Sequence, residues 1–185
     1  MARDRFQQRK EEVLSKIDKS SKGSWDKHIL KLCKKINESS VYYTTSSCSG
    51  RILIMVDQEK KAKGLFLKVS HELVGKDYLE NLKLPKSFVK FKFEPFILHI
   101  ACKELKDAEK LVKLGQKAGF KKMGLISFGK NFVVEFVGSD KLEFPLATNK
   151  KFLVSKEFIE LVLEKSNNNL EKGWEKLERL RKEFK

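Results

Sequence analysis

Between residues 41 and 56 the chain sets two runs of strand-forming residues on either side of five small ones. Val41-Tyr42-Tyr43-Thr44-Thr45 is β-branched and aromatic, and Arg51-Ile52-Leu53-Ile54-Met55-Val56 is apolar and of strand length. Ser46-Ser47-Cys48-Ser49-Gly50 between them is small and polar, which is the composition of a turn. The segment predicts strand, turn, strand, and it restricts the fold more than any other stretch of the sequence.

The same order recurs later. Residues 25–37 read as a helix with Ile29, Leu32, Cys33 and Ile36 on one stripe, capped by Ser24, and they precede the first strand pair. Residues 105–118 read as a second helix, with Leu105, Ala108, Leu111, Val112 and Gly115 on one face and Gly119 to end it. It precedes strands at 122–128 and 132–137, joined by a turn at Gly129-Lys130-Asn131. Around these lie a helix at 3–17, a polar break at 18–24, a charged loop at 57–63 and a strand at 64–70. A Lys-rich irregular stretch at 72–90 follows, with a short helix near 78–82. Residues 91–102 form a strand region whose first half Pro95 is expected to keep from a central ladder position. A short strand at 142–146 and a long final helix, capped by Ser155 and reaching Phe184, complete the chain. The expected fold is α+β. It has a mixed, mainly antiparallel sheet, two related helix–hairpin halves and long N- and C-terminal helices, in a single domain over 1–185. It is not a doubly wound, Rossmann-type fold.

The net charge is +15. Residues 60–130 hold 17 lysines against 7 acids, so the basic excess is concentrated in the middle of the chain. Such an excess draws polyanions, nucleic acid first among them; a solvated lysine surface is the plainer reading. Cys33, Cys48 and Cys102 are odd in number and widely spaced, which argues against a disulfide framework and fits a reducing compartment. No metal site is expected, because Cys48, His71, His99 and Cys102 would have to converge from afar without a close ligand pair. The first residues are charged and lack an apolar run, and no stretch has the length of a membrane span, so a cytoplasmic protein is expected.

Four places can carry chemistry. The segment Ser46 to Arg51 can present backbone N–H groups to an anion, with Arg51 adding a bidentate contact; a tight, hydroxyl-capped hairpin is the structural alternative. Cys48 is read as packing and not as a nucleophile. His28 lies on a charged helix face and reads as solvated, His71 ends a strand, and His99 shares a strand face with Ile97 and Ala101. In Lys90-Phe91-Lys92-Phe93-Glu94-Pro95-Phe96 basic and aromatic residues alternate, as in a strip that stacks bases and holds phosphates, or as in an ordinary half-buried strand. Gly-rich phosphate loops, nucleophile elbows and zinc-deaminase spacings are absent from the sequence.

Several strings occur together and in order: Asp18-Lys19-Ser20-Ser21-Lys22-Gly23-Ser24-Trp25-Asp26, Thr45-Ser46-Ser47-Cys48-Ser49-Gly50-Arg51, Val69-Ser70-His71, Lys92-Phe93-Glu94-Pro95-Phe96-Ile97-Leu98-His99 and Glu143-Phe144-Pro145-Leu146. In this the chain resembles the tRNA wybutosine-synthesizing protein 3 family of archaea and eukaryotes, over roughly residues 3–182. The resemblance implies an S-adenosylmethionine-dependent methyltransferase. Its substrate would be the N4 nitrogen of the tricyclic 4-demethylwyosine base beside the anticodon of phenylalanine tRNA. On that reading Ser46, Ser47, Cys48, Ser49, Gly50 and Arg51 bind the donor, and Lys22, Gly23, Lys92, Phe93 and His99 bind the substrate. Asp26, His71 and Glu94 are the catalytic candidates. His71 would take the proton from the acceptor nitrogen, and Phe91 or Phe93 would stack the base. The alternative is a basic RNA-binding protein of the same pathway with no methyl chemistry. A third reading is a hydrolase or lyase using Cys48 with His71.

Overall fold

The computed structural model describes residues 4–15, 26–58, 64–129 and 131–184. In chain order the elements are α1 (Arg5–Leu14), α2 (Lys27–Asn37), β1 (Tyr42–Cys48), β2 (Arg51–Val56), β3 (Phe66–Ser70) and a 3-10 turn at Lys76–Leu79. There follow β4 (Val89–Glu94), β5 (Ile97–Cys102), α3 (Leu105–Lys117), β6 (Met123–Phe128), β7 (Phe132–Val137), β8 (Leu142–Thr148), β9 (Lys151–Phe152) and α4 (Lys156–Glu183). The chain forms two compact units. One comprises residues 1–49, 96–139 and 173–185; the other comprises 50–95 and 140–172.

The first unit is built on a four-stranded sheet in the order β1-β5-β7-β6, antiparallel at every pair. One face is covered by helices. The stripe Ile29, Leu32, Cys33 and Ile36 of α2, with Ala108 and Leu111 of α3 and Leu177 and Leu180 of α4, packs against Leu98, Ile100 and Cys102 of β5 and Val134 and Phe136 of β7. Gly115 lets α3 close onto β6 and β7: a Cβ there would lie 2.5 Å from both Met123 Sδ and Phe136 Cε1. Leu105, expected on this apolar face, is exposed in the first turn of α3. On the opposite face α1 covers one end only, where Phe6 and Val13 pack on Tyr43, Ala101 and Val133. Asp4 caps α1 by accepting from the Phe6 amide at 3.0 Å. The buried Lys10 reaches out of α1 to donate to the Ser39 carbonyl.

The second unit holds a five-stranded sheet, also antiparallel, in the order β3-β2-β4-β8-β9. β4 lies at its centre, contrary to the expectation from Pro95. The reason is that the proline follows the last residue of β4, so its missing N–H removes no ladder bond. Phe91, Phe144 and Phe158 form an aromatic chain with centroids 5.1 and 5.2 Å apart, fixing α4 over β4 and β8. The side chain of Asn167 in α4 accepts from the Val74 amide at 3.0 Å and donates to its carbonyl at 2.8 Å. Ser155 caps α4 through the Phe158 amide at 3.3 Å, as expected.

The α+β, mainly antiparallel architecture agrees with the sequence reading. The resemblance between its halves does not extend to the strands. β6 and β7 form a hairpin, but β1 pairs with β5 and β2 with β3 and β4, so residues 46–50 do not close a hairpin. Helix α2 also begins later than expected, at Lys27, with Asp26 in the N-cap position; Ser24, its expected cap, lies outside the described residues. No described helix is long and apolar enough to cross a membrane.

Candidate active site

β1 does not turn at Ser46. It continues in register with β5 as far as Cys48, after a bulge between Thr44 and Ser46. Because successive side chains in a strand point to opposite faces, the bulge resets which residues face which side. Ser46 now lies opposite His99 and Cys48 opposite Ile97, while Ser47 lies opposite the buried Leu98. His99 in turn lies opposite Glu135, and Glu135 opposite Gly124. A row Ser46–His99–Glu135–Gly124 thus crosses all four strands, on the face of the sheet where α1 covers only the far end. His99 Nε2 and Glu135 Oε2 are 2.8 Å apart, both side chains being half-buried. A carboxylate only accepts, so Nε2 carries the hydrogen and Nδ1 is left with the lone pair.

Ser49, where β1 ends, is held at three points. Asp26 Oδ2 accepts from its amide at 3.0 Å and from its hydroxyl at 3.2 Å, and Trp174 Nε1 donates to its carbonyl at 3.1 Å. The Trp174 ring stacks on His28 with centroids 3.5 Å apart and planes 1° from parallel. Two expectations change. The Ser49 amide already serves an anion, the carboxylate of Asp26, so it is not part of an open anion-binding nest. Asp26, a catalytic candidate, is 8% exposed and holds Ser49 through its amide and hydroxyl. His28, read as solvated, is instead half-buried against Trp174.

Burial pushes the Cys33 thiol up to about 12, with the charge of Asp26 adding to the rise and a hydrogen bond with Ser47 opposing it. Burial, with Asp107 adding, also raises Cys102 to about 12. Both are inert core thiols, and Cys48 is the half-buried one.

In the second unit Gly50 has φ 101°, a conformation that L side chains rarely adopt, and Arg51 follows it as the first residue of β2. Arg51 lies opposite Glu94 of β4, and its Nε and Nη2 both donate to Glu94 Oε2 at 2.7 Å. Its guanidinium also lies 5.7 Å from the centroid of the Phe66 ring. Lys92 Nζ reaches Glu94 Oε1 at 3.2 Å and Glu143 Oε2 at 3.5 Å, and Lys90 pairs with Asp57 and Glu143. Burial alone would raise the Glu94 carboxyl, but Arg51, and then Lys92, hold it below its ordinary value. A carboxylate held this way is a poor proton acceptor, and in the structure Glu94, one of the catalytic candidates, pairs with Arg51 and Lys92. Phe91 and Phe93, 1% and 2% exposed, face the core of this unit. Neither offers a face to a base, which corrects the expectation that one or the other stacks it. His71 is half-buried in the bend after β3. Lys22 and Gly23 lie outside the described residues.

The sequence reading missed Glu135, Trp174 and the place of His28. The partners of the first two are 36 and 125 residues away in the chain, so no local spacing marks them. An acid set among the apolar residues of Phe132-Val133-Val134-Glu135-Phe136-Val137 was the one available signal.

Antiparallel sheets, a polar row on one sheet face and no Gly-rich strand–helix turn place the protein among α+β proteins outside the nucleotide-binding, doubly wound class. Residues 8–185 match the family described as Methyltransferase TYW3, and the chain belongs to it. It is 34% identical over 182 residues to the human "tRNA wybutosine-synthesizing protein 3 homolog", covering 94% of this chain and 70% of that protein. It is 33% identical over 180 residues to a Pyrococcus abyssi protein named "tRNA(Phe) 7-((3-amino-3-carboxypropyl)-4-demethylwyosine(37)-N(4))-methyltransferase 2", covering 95% and 87% of the two chains. The solved structure of PH1069 protein from Pyrococcus horikoshii shares the fold, with a TM-score of 0.87, 32% identity, and 97% and 96% of the two chains covered. These matches favour the methyltransferase reading over a non-catalytic RNA-binding protein.

Proposed function

We propose that the chain methylates N4 of the 4-demethylwyosine-type tricyclic base beside the anticodon of phenylalanine tRNA, with S-adenosylmethionine as donor, in the cytoplasm. The observation that carries the proposal is the match to the Pyrococcus abyssi methyltransferase, which runs through 95% of this chain. The bound donor supplies an electrophilic methyl group on a sulfonium.

The residues present suit such a donor. Arg51 has five N–H groups, and Glu94 occupies the Nε and Nη2 side, so another edge of the guanidinium remains for the donor's carboxylate. Ser46, Ser47, Cys48 and Gly50 complete the proposed donor segment, with Asp26 and Trp174 fixing Ser49 within it. His99, Lys92, Lys22 and Gly23 are proposed for the tRNA side, and His71 as a catalytic candidate. Positioning, more than covalent help, governs an in-line methyl transfer.

The test is methyl transfer from labelled donor to phenylalanine tRNA carrying the demethylated base, read by mass spectrometry of the nucleoside. Arg51→Ala is expected to weaken donor binding about 10- to 100-fold, the worth of a charged hydrogen-bonded contact. If Ser47→Ala, Arg51→Ala and His71→Ala all keep the wild-type rate and donor affinity, the proposed site is wrong. Tight tRNA binding with no methyl transfer would instead leave the non-catalytic reading.

A further inference from the structure

We propose that His99 and Glu135 form the base of this methyl transfer, with His99 taking the proton from the acceptor nitrogen and Glu135 positioning it; the inference rests on the function proposed above. Replacing N–H by N–CH3 releases one proton, which needs an acceptor with a free lone pair beside the reacting nitrogen. In the structure a carboxylate fixes the tautomer of a half-buried histidine from 2.8 Å away, leaving Nδ1 as acceptor.

The surroundings support the assignment. Ser46, of the proposed donor segment, is the strand neighbour of His99 on one side, and Glu135 is its neighbour on the other. Gly124, opposite Glu135, ends the row without a side chain, and a Cβ built there meets nothing within 4 Å among the described residues. In the next row of the same face Cys48, Ile97 and Val137 are half-buried. A planar base can lie over the apolar pair there with its edge toward His99. Helix α1 covers only the Tyr43–Ala101–Val133 end.

The step balances. As the new N–C bond forms, His99 Nδ1 accepts the proton from the nitrogen, and the sulfur that loses the methyl carbon keeps the C–S electron pair. The imidazolium, stabilised by Glu135, then returns the proton to water. Asp26 and Glu94 are each committed elsewhere, to Ser49 and to Arg51 with Lys92.

Single-turnover methylation with the full chain, together with separate donor and tRNA affinities, tests the proposal. His99→Ala is expected to lower the rate about 100-fold or more with both affinities within about threefold of wild type, and added imidazole should restore part of the loss. Glu135→Gln should lower the rate about tenfold, and Glu135→Asp should recover some of it. Nitrogen NMR of the histidine rings in the free protein reads the tautomer directly: Nε2–H is expected for His99 in the wild type and a mixture in Glu135→Ala. If His99→Ala fails to fold, the Glu135 variants and the tautomer decide. A His99→Ala or Glu135→Gln variant at the wild-type rate would overturn the dyad while the functional reading stands, as would imidazole rescue of His71→Ala and not of His99→Ala. A wild-type chain that transfers no methyl group overturns the functional reading, and this one with it.

Discussion

The Glu94 carboxylate carries a cation on each oxygen: Arg51 on Oε2 and Lys92 on Oε1. Burial works against its charge and the two cations outweigh that, leaving its proton affinity below the ordinary glutamate value of 4.5. An unfolded chain therefore takes up this proton before the folded one does. The pair's contribution to stability is full above about pH 4.5 and is lost as pH falls through the lower, folded value. Denaturation midpoints measured from pH 6 down to pH 3 should fall for the wild type. Glu94→Gln should start lower and decline less over the same range. Arg51 and Glu94 were each marked by their strings in the sequence, but their pairing was not, because it depends on β2 and β4 being neighbours. Glu135 shows the same limit. It is one acid among 25, and only the register of β5 on β7 singles it out.

Elements were easier to read than their partners. The stripe of α2, the hairpin β6–β7 and the Ser155 cap of α4 are all local patterns, set by periodicity or by hydrogen bonds within four residues, and each stands where the sequence placed it. The five small residues after Thr45 were misread for a physical reason. Serine and cysteine tolerate a strand when an interior neighbour such as β5 supplies the ladder, and the chain leaves it only at Ser49 and Gly50, the latter with a positive φ. Pro95 misled in the opposite sense, since it separates β4 from β5 and interrupts neither. Gly115 is a glycine inside a helix for want of room. Gly115→Ala gains helix propensity worth up to about 1 kcal/mol but forces a methyl onto Met123 and Phe136, at a cost of about 1–3 kcal/mol. A net loss of up to about 2 kcal/mol is expected from urea unfolding, with the crowding outweighing the propensity.

For the whole molecule the governing quantity is charge. The net charge of +15 is what remains of 40 basic residues after 25 acids, and within the chain Lys90, Lys92, Lys103 and Arg51 pair with acids. The remaining lysines are the ones that can neutralise phosphates. Four such contacts are enough to make tRNA affinity fall on the order of 100-fold between 50 and 200 mM salt. A filter-binding series over that range is expected to show this steep loss; an affinity independent of salt would mean that the lysines do not face the RNA.

The bulge between Leu125 and Ser127 bears on how such a protein is stored and handled. Among the described residues no strand pairs with the outer edge of β6, and Ile126 and Phe128 are 52% and 72% exposed. A flat edge with that composition would nucleate intermolecular sheet. The bulge distorts the edge at Ile126, so the backbone groups on either side no longer fall at the spacing that a straight incoming strand requires. Removing Ile126 to straighten β6 would therefore be expected to raise the chain's tendency to precipitate on concentration.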